Sequence, residues 1–408
     1  MKCGLLGRTL GHSYSPQIHA MLGDYAYTLF EKEPEEVADF LKNGDFTGIN
    51  VTIPYKQAVI PYLDDLSDAA RRIGAVNTIL RRPDGSLWGH NTDYYGFSAM
   101  VQRTGLSLEG KKVLVLGSGG ASRTVVCVLE GLGANPVVIS RTGEDNYQNL
   151  SRHADAAAII NTTPVGMYPN TGVSPVDLDG FSHLEGVLDL VYNPARTQLL
   201  LDAERRGIPT QNGLWMLVAQ AKEAAEVFTG APIAHSAIAR IHQALSRQMQ
   251  NLVLIGMPGC GKSTIGPLLA QATGRSFVDA DETIAALAGK TIPEIFAQDG
   301  EEAFRRLETQ ALADLGKRSG LVIATGGGCV TRADNYPLLH QNGILLRLER
   351  ELSLLPTDGR PVSQTRSLSQ LYEVRDPLYR AFADITIDNN GTPTQTLCAI
   401  AACLEERP

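Results

Sequence analysis

Short apolar runs alternate along the chain with longer amphipathic stretches, the rhythm of strands that feed helices. Val113-Leu114-Val115-Leu116 and Leu252-Val253-Leu254-Ile255 read as strands, and each ends in a glycine-rich turn. Ala121 to Leu132 reads as the helix after the first turn, and Val137-Val138-Ile139 as the next strand. Leu214 to Phe228 and Ile238 to Leu245 carry apolar residues at helical spacing, so two packed helices are expected there, with a new strand starting near Leu252. Phe304, Leu307, Ala311 and Leu315 mark the buried stripe of a further helix. Strand and helix alternate throughout without an internal repeat, which predicts an open α/β architecture.

The 408 residues exceed what one hydrophobic core usually organises. The expected junction lies near Arg247-Gln248-Met249-Gln250, which contains no Gly, Pro or Ser run and so reads as a short connection. This divides the chain into 1–248 and 249–408. A formal charge of −8 and few aromatic residues argue against nucleic acid as the main partner. No uncharged apolar run has the length of a membrane span, so neither a membrane nor a signal peptide is expected and the cytoplasm is the default location. The six cysteines, at 3, 127, 260, 329, 398 and 403, form no CxxC pair and read as reduced thiols.

The two glycine turns differ in chemistry. Gly117-Ser118-Gly119-Gly120-Ala121, between a strand and a helix, suits a dinucleotide pyrophosphate placed at a helix N-terminus. The following strand ends in Ser140-Arg141-Thr142, where an NAD site would place an acidic residue on the ribose 2′-hydroxyl; arginine there favours the 2′-phosphate of NADP(H). Glu144 and Asp145 follow, so Arg141 is the main candidate phosphate anchor. Gly256-Met257-Pro258-Gly259-Cys260-Gly261-Lys262-Ser263 spells G-x-x-x-x-G-K-S. In that loop, backbone N–H groups at Gly259, Cys260, Gly261 and Thr264 would cradle phosphates. Lys262 would reach the β/γ-phosphates, and Ser263 would contact Mg²⁺. Pro267 falls beyond the first turn of the next helix, where it removes a backbone donor.

Upstream of the first turn, Gly11-His12-Ser13-Tyr14-Ser15-Pro16, Asn50-Val51-Thr52-Ile53-Pro54-Tyr55-Lys56, Gly74-Ala75-Val76-Asn77-Thr78 and Asn91-Thr92-Asp93 follow one another in an order that resembles the shikimate dehydrogenase family. The resemblance runs from about residue 3 to 245. It implies a substrate-binding α/β part (about 1–103 plus 214–248) and a Rossmann part (about 104–213), with C-terminal helices returning to the first part. It also implies that Ser13 and Ser15 hold the substrate carboxylate, with Thr52, Asn77 and Gln220 on its carboxylate or ring hydroxyls, and that Lys56 and Asp93 form the catalytic pair. Tyr192 resembles a family substrate contact, although a buried tyrosine meeting a core hydrogen bond is an equal reading of that residue. Gly213 falls where the family approaches the nicotinamide.

Asp279-Ala280-Asp281, Gly300 to Glu308, Ala324-Thr325-Gly326-Gly327-Gly328, Arg360-Pro361 and Arg375-Asp376-Pro377-Leu378-Tyr379 together with the second loop resemble shikimate kinase over about 251–389. By that resemblance Asp279 helps hold Mg²⁺ and Asp281 contacts the acceptor hydroxyl. Arg305 and Arg375 grip the shikimate carboxylate, Gly326, Gly327 and Gly328 offer backbone contacts, and Arg360 belongs to a mobile lid over ATP. Taken alone, Arg305 reads as the partner of Glu301 or Glu302 on an exposed helix face. The two halves imply consecutive chemistry, reduction of 3-dehydroshikimate by NADPH and then phosphorylation of shikimate by Mg·ATP. A quinate or shikimate dehydrogenase joined to a kinase of another small hydroxyl acid, and a non-catalytic metabolite sensor, stand as alternatives.

Overall fold

A computed structural model describes residues 1–11, 13–355 and 368–406. Arg360, expected in a lid, lies outside the described residues. The chain divides into two units: one holds Met1–Gly166, Val173–Tyr192 and Leu199–Leu245, the other Met167–Gly172, Asn193–Gln198 and Ser246–Pro408. Among the described residues no helix is long and apolar enough to cross a membrane. All six cysteines are free thiols, four of them buried.

The first unit contains two sheets. Strands β1 (Lys2–Gly7), β2 (Ala26–Glu31), β3 (Gly48–Val51), β4 (Asp65–Leu66), β5 (Thr78–Arg81) and β6 (Leu87–His90) form a mixed sheet in the order β2-β1-β3-β5-β6-β4, with helices α1 (Ser15–Leu22), α2 (Val37–Asn43) and α3 (Asp68–Ile73) between them. β5 is antiparallel to both β3 and β6, which folds the Asn77 and Asn91 segments back beside Asn50. α3 shows local punctuation at both ends: Ser67 accepts from Ala70 N at 3.2 Å, and Gly74 closes it at φ 69°.

Helix α4 (Asp93–Thr104) leads into a wholly parallel sheet of β7 (Lys112–Leu116), β8 (Asn135–Ile139), β9 (Ala158–Asn161), β10 (Gly186–Asp189) and β11 (Thr210–Gln211), ordered β11-β10-β9-β7-β8. Here α5 (Gly120–Gly131) and α6 (Gln198–Arg205) are crossover helices. The strand order reverses direction at β7, so a crevice opens beyond the carboxyl ends of β7 and β9, where open α/β sheets bind ligands. Helices α7 (Leu214–Thr229) and α8 (Ser236–Met249) follow. α7 packs Ala224 and Phe228 with Cys3 of β1, and Gly96 lets α4 approach it closely. A methyl on Gly96 would stand 2.8 Å from Met216 O and 2.9 Å from Gln220 Cβ.

In the second unit β12 (Asn251–Ile255), β13 (Ser276–Asp279), β14 (Leu321–Ala324), β15 (Gly343–Glu349) and β16 (Ile385–Asp388) form a parallel sheet ordered β13-β14-β12-β15-β16. Its helices are α9 (Lys262–Thr273), α10 (Ala280–Ala288), α11 (Ile292–Gln298), α12 (Gly300–Gly316), α13 (Asn335–His340), α14 (Leu368–Phe382) and α15 (Pro393–Glu405). β12 is central and buried along its whole length, so its carboxyl end, and the loop that follows, stand on the most rigid part of the core. α9 is continuous through Pro267. On α12 the buried face includes Phe304, Ala311 and Leu315 as the apolar spacing predicts, while Leu307 is only partly buried. Arg305 and Glu308, both charged, are also buried there.

Candidate active sites

A cavity of about 480 Å³ in the first unit is lined by Ser13, Ser15, Thr52, Lys56, Asn77, Asp93, Tyr192 and Gln220, gathered from six separate stretches of chain. Lys56 follows β3, and Asp93 is the first residue of α4. Their side chains meet, Lys56 Nζ donating to Asp93 Oδ2 at 2.6 Å, both partly shielded from water. Beside them runs a chain of amides and hydroxyls. Asn77 Oδ1 accepts from Thr92 N at 2.7 Å, Asn77 Nδ2 donates to Thr92 Oγ1 at 3.0 Å, and Thr92 Oγ1 donates to Gln220 Oε1 at 3.3 Å. Asn50 Nδ2 donates to Thr78 Oγ1 at 3.1 Å and its carbonyl accepts from Tyr27 OH at 2.8 Å. Such a wall orients a polyhydroxylated ligand by hydrogen bonds, with one cation beside it. Tyr192 lines the cavity with its ring edge-on to Tyr14 at 6.1 Å, and burial raises its phenol above the ordinary range.

Ala121 and Gly213 line the same cavity, which extends it to the dinucleotide turn. Gly117 holds φ 106°, a left-handed conformation open mainly to glycine, and a methyl there would also press on Thr162 Oγ1 and Thr163 Cγ2 at 2.9 Å. Gly119 caps α5, and no atom lies within 4 Å of where a methyl on Gly119 or Gly120 would point. Free N–H groups at a helix start with open space beside them fit a pyrophosphate. Arg141, just past β8, is exposed and makes no hydrogen bond or ion pair among the described residues. Neither of the two acids that follow, Glu144 and Asp145, forms an ion pair with it, and Asp145 Oδ1 instead meets His153 Nε2 at 2.9 Å. Ser140 Oγ accepts from Gly143 N at 2.8 Å and shapes this turn, on which Thr142 is exposed.

In the second unit Gly259, Gly261, Lys262, Ser263 and Thr264 line a cavity of about 470 Å³ with Pro258, Gly327, Arg350 and Leu354. Gly256, Gly259 and Gly261 all have positive φ, which turns the loop tightly around the end of β12. Lys262 is buried, its ammonium held by Gly256 O at 2.8 Å and Met257 O at 3.1 Å. Cys260 does not line the cavity. Its thiol is buried, and its N–H donates to Met257 O at 3.1 Å. Ser263 Oγ lies 3.2 Å from Asp279 Oδ2, a hydroxyl beside a carboxylate at the mouth of the loop. Among the described residues no group of three or more His, Cys, Asp or Glu forms a metal cage. An oxygen pair of this kind suits Mg²⁺, which takes its other ligands from phosphate and water.

Next to this cavity lies a second polar cluster built on the turn after β14. A methyl on Gly326 would stand 2.8 Å from Glu308 Oε1 and 3.0 Å from Asp281 Oδ1, and one on Gly328 would stand 2.2 Å from Arg305 Nη1. Arg375 Nη1 donates to Gly327 O at 3.0 Å, and Tyr379 OH donates to the same carbonyl. Arg305 pairs with Glu308 Oε2 at 2.8 Å and Glu301 Oε1 at 3.1 Å. The pairing with Glu301 matches one reading of the sequence, but Arg305 is buried, so the exposed-face version of that reading is corrected. Glu308 explains the burial: it is wholly enclosed, and opposite charges offset the cost of taking the guanidinium out of water. Burial raises the Glu308 carboxyl above its usual range, with Arg305 pulling it back, and Glu308 Oε1 has no hydrogen-bond partner.

A family profile of shikimate kinase matches residues 258–405, and one of the shikimate dehydrogenase substrate binding domain matches residues 5–79. A shikimate dehydrogenase (NADP(+)) of Clostridium perfringens is 39% identical over 264 residues, 59% of this chain and 97% of the relative. The chain belongs to the shikimate dehydrogenase family and carries a fused shikimate kinase domain. Solved structures agree for the dehydrogenase part. Shikimate dehydrogenase 1 from Peptoclostridium difficile is 37% identical with a TM-score of 0.55, covering 60% of this chain and 98% of that one. The Thermus thermophilus enzyme in complex with NADP(H) and shikimate is 32% identical with a TM-score of 0.55, covering 60% and 99%.

Within the dehydrogenase half, Asn50, Thr162 and Thr163 stand in the site region without having been singled out from the sequence. Asn50 opens the same motif that contains Thr52 and Lys56, so alternation along β3 was an available signal. Thr162 and Thr163 follow β9, which pairs with β7 where the strand order reverses, a placement that only the sheet topology reveals. Within the kinase half, the unassigned residues are Glu308, Tyr379, Arg350 and Asn389. Asn389 donates from Nδ2 to Cys260 O at 2.6 Å and accepts from Thr396 Oγ1 at 2.6 Å, bracing the loop from the far end of the sheet.

Proposed function

We propose that the chain reduces 3-dehydroshikimate to shikimate with NADPH in its first unit and phosphorylates shikimate with Mg·ATP in its second. The observation that carries the reading is that the first cavity unites the Lys56–Asp93 ion pair with a wall of hydroxyl and amide groups, while the second unit sets a phosphate loop beside two buried arginines. Bound NADPH would supply hydride to the ketone carbon, and bound Mg·ATP the phosphoryl group. The rest is the work of the chain.

Lys56 carries the positive charge that stabilises the ketone oxygen as it becomes alkoxide and gives it a proton, and Asp93 fixes the ammonium in place at 2.6 Å. Ser13 and Ser15 receive the carboxylate, Thr52, Asn77 and Gln220 bind the carboxylate or the ring hydroxyls, and Tyr192 is a further substrate contact on the same wall. Gly117 to Ala121 and the start of α5 cradle the pyrophosphate, Gly213 lies at the nicotinamide end, and Arg141 with Ser140 and Thr142 takes the 2′-phosphate. In the kinase, Arg305 and Arg375 hold the acceptor's carboxylate against the Gly326–Gly328 turn, and Asp281 accepts the hydroxyl proton. Lys262 and the loop's N–H groups hold the phosphate chain, and Ser263 with Asp279 holds Mg²⁺. A cytoplasmic location fits these cofactors.

Purified protein supplied with 3-dehydroshikimate, NADPH and Mg·ATP is expected to oxidise NADPH and then form shikimate 3-phosphate. Absence of NADPH oxidation refutes the first assignment and absence of the phosphate ester the second. Quinate offered in place of shikimate separates the alternative of a quinate dehydrogenase.

A further inference from the structure

Arg350 is an arginine that the ion-pair networks around it leave out. Arg347, three residues earlier, is paired with Glu349 at 2.6 Å and Asp376 at 2.5 Å, and Arg305 with two glutamates. Arg350 makes no hydrogen bond or ion pair among the described residues, and its Nε is buried without a partner. Arginine cannot relieve that by losing its proton. Buried donors are nearly always satisfied in folded proteins, so an unsatisfied one at a cavity calls for an acceptor from outside the chain.

That cavity is the one lined by Gly259, Gly261, Lys262 and Ser263. Arg350 stands immediately after β15, the strand paired with β12, and the end of β15 presses on the start of the loop. Leu348 O would meet a methyl on Gly256 at 2.6 Å. The backbone on both sides is pinned, with Asn389 N donating to Glu349 O at 2.8 Å and Glu351 N donating to Asn390 Oδ1 at 2.9 Å. Asn389 in turn donates to Cys260 O within the loop. The guanidinium is therefore carried on a support tied to the loop it faces, unlike a side chain on a segment that closes over the site.

We propose that Arg350 binds the phosphate chain of the nucleoside triphosphate, a fixed cation in addition to Lys262. The proposal rests on the kinase reading of this cavity. A guanidinium pairs phosphate oxygens through two N–H groups at once, so its loss should fall on nucleotide and spare the acceptor.

Calorimetric titration of the full chain with Mg·ATP, Mg·ADP and shikimate, each alone, tests it. Arg350→Met should weaken Mg·ATP and Mg·ADP binding by about tenfold or more, with shikimate binding and NADPH oxidation unchanged. Arg350→Gln is the second variant, expected to move in the same direction, and carries the test if the methionine variant does not fold. Nucleotide affinity equal to that of the unsubstituted chain overturns the proposal, and so does an equal loss of shikimate affinity, which would mark a structural role. A chain that binds Mg·ATP yet never phosphorylates shikimate refutes the kinase reading while leaving the Arg350 comparison measurable.

Discussion

At the scale of single residues, the chemistry turns on charges held where water is scarce. Lys56 has one described ion partner, Asp93, at 2.6 Å. Replacing it by methionine keeps the length of the side chain and removes both the proton and the charge. Lys56→Met should lower kcat for 3-dehydroshikimate reduction by about 10²–10⁴-fold, read as NADPH oxidation at saturating substrate. A subtler test exploits Gly328, whose φ of −104° would tolerate a side chain. The obstacle to a methyl is Arg305 Nη1 at 2.2 Å, and Glu308 and Glu301 hold that guanidinium in place. Gly328→Ala should raise KM for shikimate by about tenfold or more with KM for ATP little changed, as steady-state kinetics would show. Taken one at a time, these residues say little in the sequence: Lys56 reads as a surface lysine, Arg305 as half of a surface pair. Their roles became legible only as ordered sets, and the burial of Arg305 with Glu308 was not legible at all, because helical spacing shows which residues share a face and not which face an ion pair will share with the core.

At the scale of elements, strands and helices followed from local pattern. The helices read at Leu214 to Phe228 and Ile238 to Leu245 are α7 and α8, and the strand expected near Leu252 is β12. What pattern does not state is how α7, α8 and α4 meet. Trp215 of α7 lies edge-on to His242 of α8 at 5.3 Å, with the Arg103 guanidinium of α4 4.0 Å above the Trp215 ring. Burial, and secondarily Arg103, hold the His242 imidazole down to about 4 from 6.5. The folded state thus keeps it neutral where the unfolded chain would protonate it. The stability this contributes is complete above pH 6.5 and is lost as pH falls towards 4, up to about 3 kcal/mol. His19, held down to about 3 by burial, adds to the same slope in the same unit. His242→Asn should flatten, without abolishing, the fall in melting temperature of the dehydrogenase unit between pH 6.5 and 4.5, measured by scanning calorimetry.

At the scale of the whole molecule, each unit contains its own set of candidate site residues. Those from Ser13 to Gln220 belong to the first and those from Gly259 to Arg375 to the second. Inactivating one site should therefore leave the other working. Lys262→Met should abolish phosphorylation of added shikimate while NADPH oxidation stays within about twofold of the unsubstituted rate, and Lys56→Met should show the reverse, with the two reactions assayed separately on the same preparation.

By itself the sequence determined the α/β class, the two glycine loops, the division near residue 248 as an expectation, and the ordered motifs that resemble two families. These depend on local spacing, which a chain carries in one dimension. Tertiary structure decided what brings distant residues together: Asn77, Thr92 and Gln220 in one hydrogen-bonded wall, Asp145 paired with His153, and Arg350 set against a loop almost a hundred residues earlier. The physical reason is that a parallel sheet aligns the ends of strands far apart in sequence, and the burial and partners of a charged side chain at those ends are properties of that alignment.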